Sequence, residues 1–303
     1  MNQSSISIWL DAARPKTLPL AITSIVVGSS LAYVAGHFSL PIALLALLTA
    51  ILLQILSNLA NDYGDTVQGT DNENRIGPIR GLQQGHITRA GMKKAIAMNI
   101  VFIICSGLAL VFYALQNPTN ILAFIGLGLL SIISSMAYTM GSKPYGYVGL
   151  GDISVFIFFG LLGVLGTFFL HTGELSPTLL LPAIGCGLFS VGVLNINNMR
   201  DIENDTASNK RTLVVRIGAE RAKCYHWMIL CVGWVSLTVY LSLHLAQEWF
   251  ILGMLLPLIM VADHAIKVKR IREPKEFIPM MPAMVKCALV TNLMFALILV
   301  VGS

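Results

Sequence analysis

This chain has little charge: only 12% of its 303 residues are Asp, Glu, Lys or Arg, against about 25% in soluble domains. No polar stretch is long enough to fold as a domain of its own, so the sequence reads as a single unit, 1–303. The five cysteines are odd in number, lack metal-type spacing and mostly fall inside apolar runs. They read as small core residues rather than as disulfides or a zinc site. There is no Gly-x-x-x-x-Gly-Lys-Ser/Thr loop and no His-Glu-x-x-His, and the six histidines are scattered. That speaks against a haem or zinc centre. A pI near 9.0 could suggest nucleic acid, yet there is no basic arm and no basic patch studded with aromatics, so no nucleic-acid partner is expected. No obligate protein partner is evident either. No small-residue cleavage site follows the first apolar run, so no cleaved signal peptide is expected.

Apolar residues make up 55% of the chain, and runs of lipid-spanning length occur near 18–36, 41–61, 95–115, 119–140, 150–170, 178–198, 225–245, 248–265 and 284–302. They predict an all-α, polytopic membrane protein of about nine transmembrane helices. Threading the chain through nine spans puts all 20 Lys and Arg on one side. Basic residues are retained in the cytoplasm, so the N-terminus is expected there and the protein in the cell inner membrane, with the lipid bilayer as its partner. On that same side the loops at about 62–94 and 199–224 are long and rich in Asp, Asn, Gly and Arg. Long loops gathered at one face usually carry the site.

The two loops open on related segments. Asn58-Leu-Ala-Asn-Asp62-Tyr-Gly-Asp65 ends the second span, and Asn197-Asn-Met-Arg-Asp201-Ile-Glu-Asn-Asp205 ends the sixth. If the helix continues, Asn58, Asp62 and Asp65 project from one face, and Asn198, Asp201 and Asp205 repeat the arrangement with Asn195 one turn earlier. A single Asp pair of this kind is commonly a solvated helix end. Two clusters with the same Asn offset at one membrane depth instead suit hard, oxygen-preferring cations, Mg²⁺ first among them.

Basic companions fit a phosphate ligand: Arg75 and Arg80 follow the first cluster, and Arg200, Lys210 and Arg211 accompany the second. Read singly, each is equally a topology charge. A third polar segment runs from Tyr138 through Lys143, Tyr145 and Tyr147 to Asp152. It reads either as a tight turn with interfacial tyrosines or as one wall of an aromatic acceptor pocket. Asp152 opens an apolar span, and an ionisable group there is a functional candidate. Arg14, entering the first span, is a further candidate cation for the substrate.

In these residues, and in Arg14-Pro-Lys-Thr-Leu-Pro, Gly69-Thr-Asp71, Lys143-Pro-Tyr-Gly-Tyr, Gly149-Leu-Gly-Asp152 and Lys210, the chain resembles the UbiA-type intramembrane aromatic prenyltransferases over almost its whole length. It is most similar to the menaquinone-synthesis branch, whose acceptor is 1,4-dihydroxy-2-naphthoate. The resemblance implies a helix bundle around a central cavity opening near the cytoplasmic side, and a polyprenyl diphosphate held through Mg²⁺ by Asp62, Asp65, Asp201 and Asp205, with Asp71 a further ligand. The family often places its third first-motif Asp four residues after the second, whereas Asp71 lies six after Asp65. The resemblance further implies that the polyprenyl group passes to the ring carbon bearing the carboxylate, that carbon dioxide and diphosphate leave, and that demethylmenaquinol forms. Lys210 would assist the chemistry. Asn58, Arg75, Asn195, Asn198, Arg200, Lys143, Tyr138, Asp152 and Arg14 would bind substrates. Alternatives are another aromatic acceptor such as 4-hydroxybenzoate, or an ion-coupled secondary transporter, which would hold its carboxylates near the bilayer midplane. A CDP-alcohol phosphotransferase is disfavoured because its Asp-Gly-x-x-Ala-Arg pattern is absent.

Overall fold

A computed structural model describes residues 5–72, 76–77 and 80–303. Among them nine helices are long and apolar enough to cross a membrane. They are α1 (Ile6–Val34), α2 (Leu40–Gln68), α3 (Arg89–Ala114), α4 (Pro118–Ala137), α5 (Gly151–Thr172), α6 (Pro177–Arg200), α7 (Ala219–His244), α8 (Trp249–Arg270) and α9 (Pro274–Gly302). The helices overrun the apolar runs mainly at the Lys/Arg-rich end. There α2 continues to Gln68, and α1, α3, α7 and α9 begin several residues before the hydrophobic stretch. Hydropathy marks only the part of a helix that meets lipid; the polar turns beyond it stay helical because they face one another.

Helix α6 is the axis of the bundle. It packs on α5, α7 and α9, while α1 packs on α2, α5 and α9, and α2 on α3 and α4. Buried residues make up 72% of the apolar window of α6 and only 11% of that of α4, which puts α4 against lipid. The sequence of α6 explains its place: Ala183, Gly185, Cys186, Gly187, Ser190 and Gly192 are buried and small, and small residues let helices approach closely where lipid supplies no hydrophobic drive. A Cβ on Gly160 of α5 would lie 2.6 Å from the Ala183 carbonyl oxygen and 2.9 Å from Gly187 Cα.

Two breaks aim side chains inward. Within α1, Arg14 adopts a left-handed conformation (φ 52°) between the segments Ser5–Ala13 and Pro15–Thr17. That is an uncommon state for a non-glycine residue, kept only where neighbours impose it. Asn58 Nδ2 donates to the exposed Ala13 carbonyl at 2.8 Å, and Thr17 Oγ1 to the Arg14 carbonyl at 3.0 Å. The second break is at Asn209 (φ 55°), after which the Lys210 amide returns to the Asp205 carbonyl at 2.7 Å.

The close α5–α6 contact generates the first prediction. Gly160→Ala is expected to destabilise the protein by about 1–3 kcal/mol through overpacking. The control Gly126→Ala, where a Cβ meets nothing within 4 Å, should be neutral. Thermal midpoints of the purified variants in detergent check the pair, and equal midpoints would contradict the packing.

Candidate active site

A cavity of about 570 Å³ opens between helices α1 to α6. Its body is apolar, walled by residues such as Leu20, Ile25, Leu53, Phe124, Phe159 and Val193. Its Lys/Arg-rich end is lined by Asn58, Asp65, Asp71, Asn198, Asp201, Asp205, Arg14, Arg80 and Lys210. The two Asp segments, far apart in sequence, therefore share one polar mouth.

The carboxylates meet cations there in different ways. Asp62 is fully buried and stands behind the wall, paired with Arg14 Nη2 and, at 3.4 Å, with Arg80 Nε. Its second oxygen, Oδ2, is buried without a hydrogen-bond partner. Asp201 is gripped by its neighbour Arg200 through Nε–Oδ1 at 2.8 Å and Nη2–Oδ2 at 2.5 Å. This two-pronged pairing suits the guanidinium plane. Lys210 Nζ bridges the two segments, 3.4 Å from Asp65 Oδ1 and 3.8 Å from Asp205 Oδ1, and sits 5.0 Å from the centre of the Tyr147 ring. Tyr147 Oη donates to Asp65 Oδ1 at 2.8 Å and shares a 2.6 Å hydrogen bond with Thr70 Oγ1. Asn204 Nδ2 donates to the Thr70 carbonyl at 2.8 Å, which ties the first loop to the second.

Burial pulls the Lys210 ammonium down, but the charges of Asp65 and Asp205 outweigh it and hold its pKa above the ordinary value. Burial, then the charge of Asp65, holds the Tyr147 phenol above its usual range. The site therefore presents a fixed ammonium and a protonated phenol at neutral pH.

The expected residues do not all gather. Asn58, Asp65, Asp71, Asn198, Asp201, Asp205, Lys210, Arg14 and Tyr138 line the cavity. Asn195 is turned away from it, bonded to His226 Nδ1 at 3.2 Å, because it projects from the α7-facing side of α6. Arg200 lies beside the cavity, occupied by Asp201 and Asn197. Lys143 is exposed on the loop after α4 and outside the cavity lining, as is Lys16. Asp152 is buried but forms no part of the lining. Arg75 lies outside the described residues. Lining residues given no role in the sequence reading include Thr17, Asn197 and Asn204, which lie within its motifs, and Gln54, Ser131 and Ser135, which lie outside them. The serines had a legible signal, three hydroxyls (Ser131, Ser134 and Ser135) within about one turn in the apolar part of α4.

Among the described residues no three His, Cys, Asp or Glu side chains converge as a ready metal cluster. The donor set at the mouth is nonetheless all oxygen, with four lining carboxylates and the orphaned Asp62 Oδ2 behind them. That chemistry fits a hard divalent cation.

An apolar chamber with an anion-handling mouth, set among lipid-spanning helices, defines an intramembrane enzyme whose substrate joins a long hydrocarbon to a multiply charged head. Residues 21–299 match the UbiA prenyltransferase family, and the chain belongs to that family. It is 50% identical to the 1,4-dihydroxy-2-naphthoate octaprenyltransferase of Escherichia coli strain K12, over 98% of this chain and 97% of that one. The enzyme of the same name from Haemophilus influenzae is 45% identical over 100% of this chain and 98% of its own. The fold matches a UbiA homolog from Archaeoglobus fulgidus bound to DMAPP and Mg²⁺, with a TM-score of 0.66 at 14% identity over 97% of this chain and 99% of that one.

The ion pairs generate the second prediction. Arg200→Ala strands a buried carboxylate and is expected to cost about 3–5 kcal/mol, measured as a fall in thermal midpoint. For Lys210 the folded pKa lies above the unfolded value of 10.5, so its contribution is fully present below that pH and fades only as pH rises through the folded value. The midpoint difference between wild type and Lys210→Met should stay constant from about pH 6 to 9. A difference that shrinks across that window would show that Lys210 loses its charge there.

Proposed function

We propose that this chain transfers an octaprenyl group from octaprenyl diphosphate to 1,4-dihydroxy-2-naphthoate, releasing diphosphate and carbon dioxide and leaving demethylmenaquinol. The observation that carries this reading is the 50% identity to the Escherichia coli enzyme across the full length of both chains. The cavity supports it independently, because an apolar body and a polar mouth match the two ends of a prenyl diphosphate. The same identity favours the naphthoate over 4-hydroxybenzoate. Ion-coupled transport is disfavoured by position: the carboxylates sit at the last turns of α2 and α6 rather than at mid-helix.

Divalent magnesium would be held by Asp65 and Asp71 on one side and Asp201 and Asp205 on the other, with Asp62 behind them. It would supply charge to the diphosphate as the allylic C–O bond breaks. The chain's own residues do the rest. Lys210, fixed between both segments, and Arg80 place positive charge where the leaving group gathers negative charge. Asn58 and Asn198 offer amide groups to the same head. The apolar wall keeps water from the allylic cation, which water would otherwise trap before the ring attacks. Arg14 is the cation of the mouth best placed for the acceptor's carboxylate. We further infer a multi-pass protein of the inner membrane with a cytoplasmic N-terminus, from the concentration of Lys and Arg at the mouth end.

Purified protein in Mg²⁺ is expected to convert the two substrates to the prenylated, decarboxylated product, and a chelator to abolish turnover. Asp65→Asn, Asp201→Asn and Asp205→Asn should each lower kcat by about 10²–10³-fold with unchanged insertion; full activity in any two would refute a shared site. Arg14→Ala should raise the acceptor KM roughly 10- to 150-fold, the loss of one charge-assisted hydrogen bond. An acceptor KM within about twofold of wild type would place the carboxylate elsewhere. Accessibility tags at positions 37, 173 and 247 should report the periplasm and those at 143, 210 and 273 the cytoplasm. A periplasmic tag at 210 would reverse the topology.

A further inference from the structure

Asp152 is a buried ionisable group beside the cavity that the chemistry above leaves unused. It is the second residue of α5 and is 7% exposed, and both of its carboxylate oxygens are buried without a hydrogen-bond partner. A carboxylate in the first turn of a helix gains about 0.3–1 kcal/mol from the helix dipole. The desolvation penalty of a buried ion is several kcal/mol. The dipole therefore does not account for Asp152, and a buried polar group without a partner asks for a role.

Its surroundings supply one. A Cβ on Gly151 would stand 2.7 Å from Tyr138 Oη, so the bare backbone there is what admits the phenol over the start of α5, next to Asp152. The ring is clamped from its other side. A Cβ on Gly146 would lie 2.9 Å from Tyr138 Cε1, and Tyr145 packs edge-on at 5.3 Å between centroids. Tyr138 itself lines the cavity whereas Asp152 does not, so of the two the phenol is the group a bound acceptor meets; no hydrogen bond joins it to Asp152.

The other tyrosines nearby are committed or misplaced. Tyr145 Oη is engaged by the Ser134 carbonyl at 2.9 Å and Ser154 Oγ at 2.8 Å, and Tyr147 Oη by Asp65 and Thr70. Tyr225, on α7, is not on the cavity wall. We propose that Tyr138 and Asp152 form a two-residue proton relay, Tyr138 meeting the acceptor's ring hydroxyl and Asp152 acting through it as a positioning and proton-holding group. The relay rests on the transfer reaction proposed above and adds to it the route of the proton.

The step balances without any co-reactant. As the ring carbon bearing the carboxylate bonds to the allylic carbon, the allylic C–O bond breaks and its electron pair leaves with the diphosphate. The neighbouring ring hydroxyl becomes a carbonyl; its proton passes to the Tyr138 oxygen while the phenol's own proton passes to Asp152 through one bridging water, since no direct hydrogen bond joins the two side chains. The carbon–carboxylate bond then breaks, carbon dioxide leaves, and the electron pair restores the aromatic ring. The ring oxygen takes its proton back from Tyr138, which is refilled from Asp152. Burial, followed by the charge of Asp152, holds the phenol above its usual range, so Tyr138 keeps a proton to pass on.

The test compares purified wild type, Tyr138→Phe, Asp152→Asn, Asp152→Glu and the Tyr138→Phe/Asp152→Asn double variant, with Mg²⁺ and both substrates, in H₂O and D₂O. Loss of general acid–base help is expected to lower kcat by about 10²–10⁴-fold in each of the first two single variants. The donor KM should stay within about twofold, and the double variant should be no slower than the slower single one. Wild type should show a solvent isotope effect on single turnover that Tyr138→Phe and Asp152→Asn lose, and Asp152→Glu should recover part of the rate. A merely structural role would lower the thermal midpoint and leave the isotope effect intact, and that result overturns the relay. So does wild-type kcat in Asp152→Asn, or, if that variant does not fold, in Tyr138→Phe. Absence of turnover by wild type with this substrate pair instead refutes the transfer reaction itself, and the relay with it.

Discussion

Five carboxylates gathered at the boundary between lipid and water are the constraint on which this structure turns. Left unpaired, each would cost several kcal/mol, and together they would drive α2 and α6 apart. The chain meets this with cations from four places: Arg14 at the break in α1, Arg80 in the first loop, Arg200 on α6 itself and Lys210 after the left-handed turn at Asn209. Much local irregularity follows from that requirement. Arg14 holds a backbone state that needs Asn58 to cap the opened turn. The Tyr147–Asp65 and Asn204–Thr70 hydrogen bonds close the loops over the mouth, so that Lys210 reaches both segments.

The apolar half of the molecule answers a different demand. A chamber that must hold hydrocarbon and keep water out needs walls of large side chains, yet the helices around it must still pack closely. The chain separates the two tasks by helix face. Small residues of α6 meet α5 and α7, as at Gly160–Gly187 and at Gly185, where a Cβ would meet Leu237 at 2.5 Å. Val193 and Leu194 on the same helix face the cavity. Rigidity at the axis is thus combined with an open chamber beside it, and helix ends anchored to that axis hold the polar mouth in register.

Much of this was legible in the sequence because it depends on composition and spacing. Long apolar runs gave nine spans, and the repeated Asn-x-x-x-Asp pattern led to the two segments that share one mouth. The unread parts depend on rotation and on loops. Asn195 has the same local spacing as its partners, but helical phase turns it toward His226. Lys143 neighbours three tyrosines in sequence, and the turn that brings Tyr138 and Tyr145 inward leaves Lys143 outside. Asp62 and Asp65 look equivalent in a linear motif. Three residues is less than a full helical turn, so Asp65 opens to the cavity while Asp62 is sealed behind Arg14 and Arg80.

That difference bears on how the mouth receives its ligand. Among the described residues four cations, Arg14, Arg80, Arg200 and Lys210, are paired with four of these carboxylates, Asp62, Asp65, Asp201 and Asp205. A diphosphate ester adds about three negative charges, and these four cations are already engaged. The charge must come in with the ligand or be released from an existing pair. Divalent ions entering with the diphosphate satisfy the first route, since carboxylates at the mouth and phosphate oxygens are both hard donors. The second route is available to Lys210, whose contacts at 3.4 and 3.8 Å are longer than the two-pronged Arg200–Asp201 pair and which can swing toward a phosphate oxygen without exposing a bare carboxylate to lipid. Arg200 cannot do the same: it is 5% exposed, and leaving Asp201 would strand two buried charges. Arg200 is therefore held to the fold by its pair with Asp201, whereas Lys210, on its longer contacts, is placed to follow the charge of the substrate.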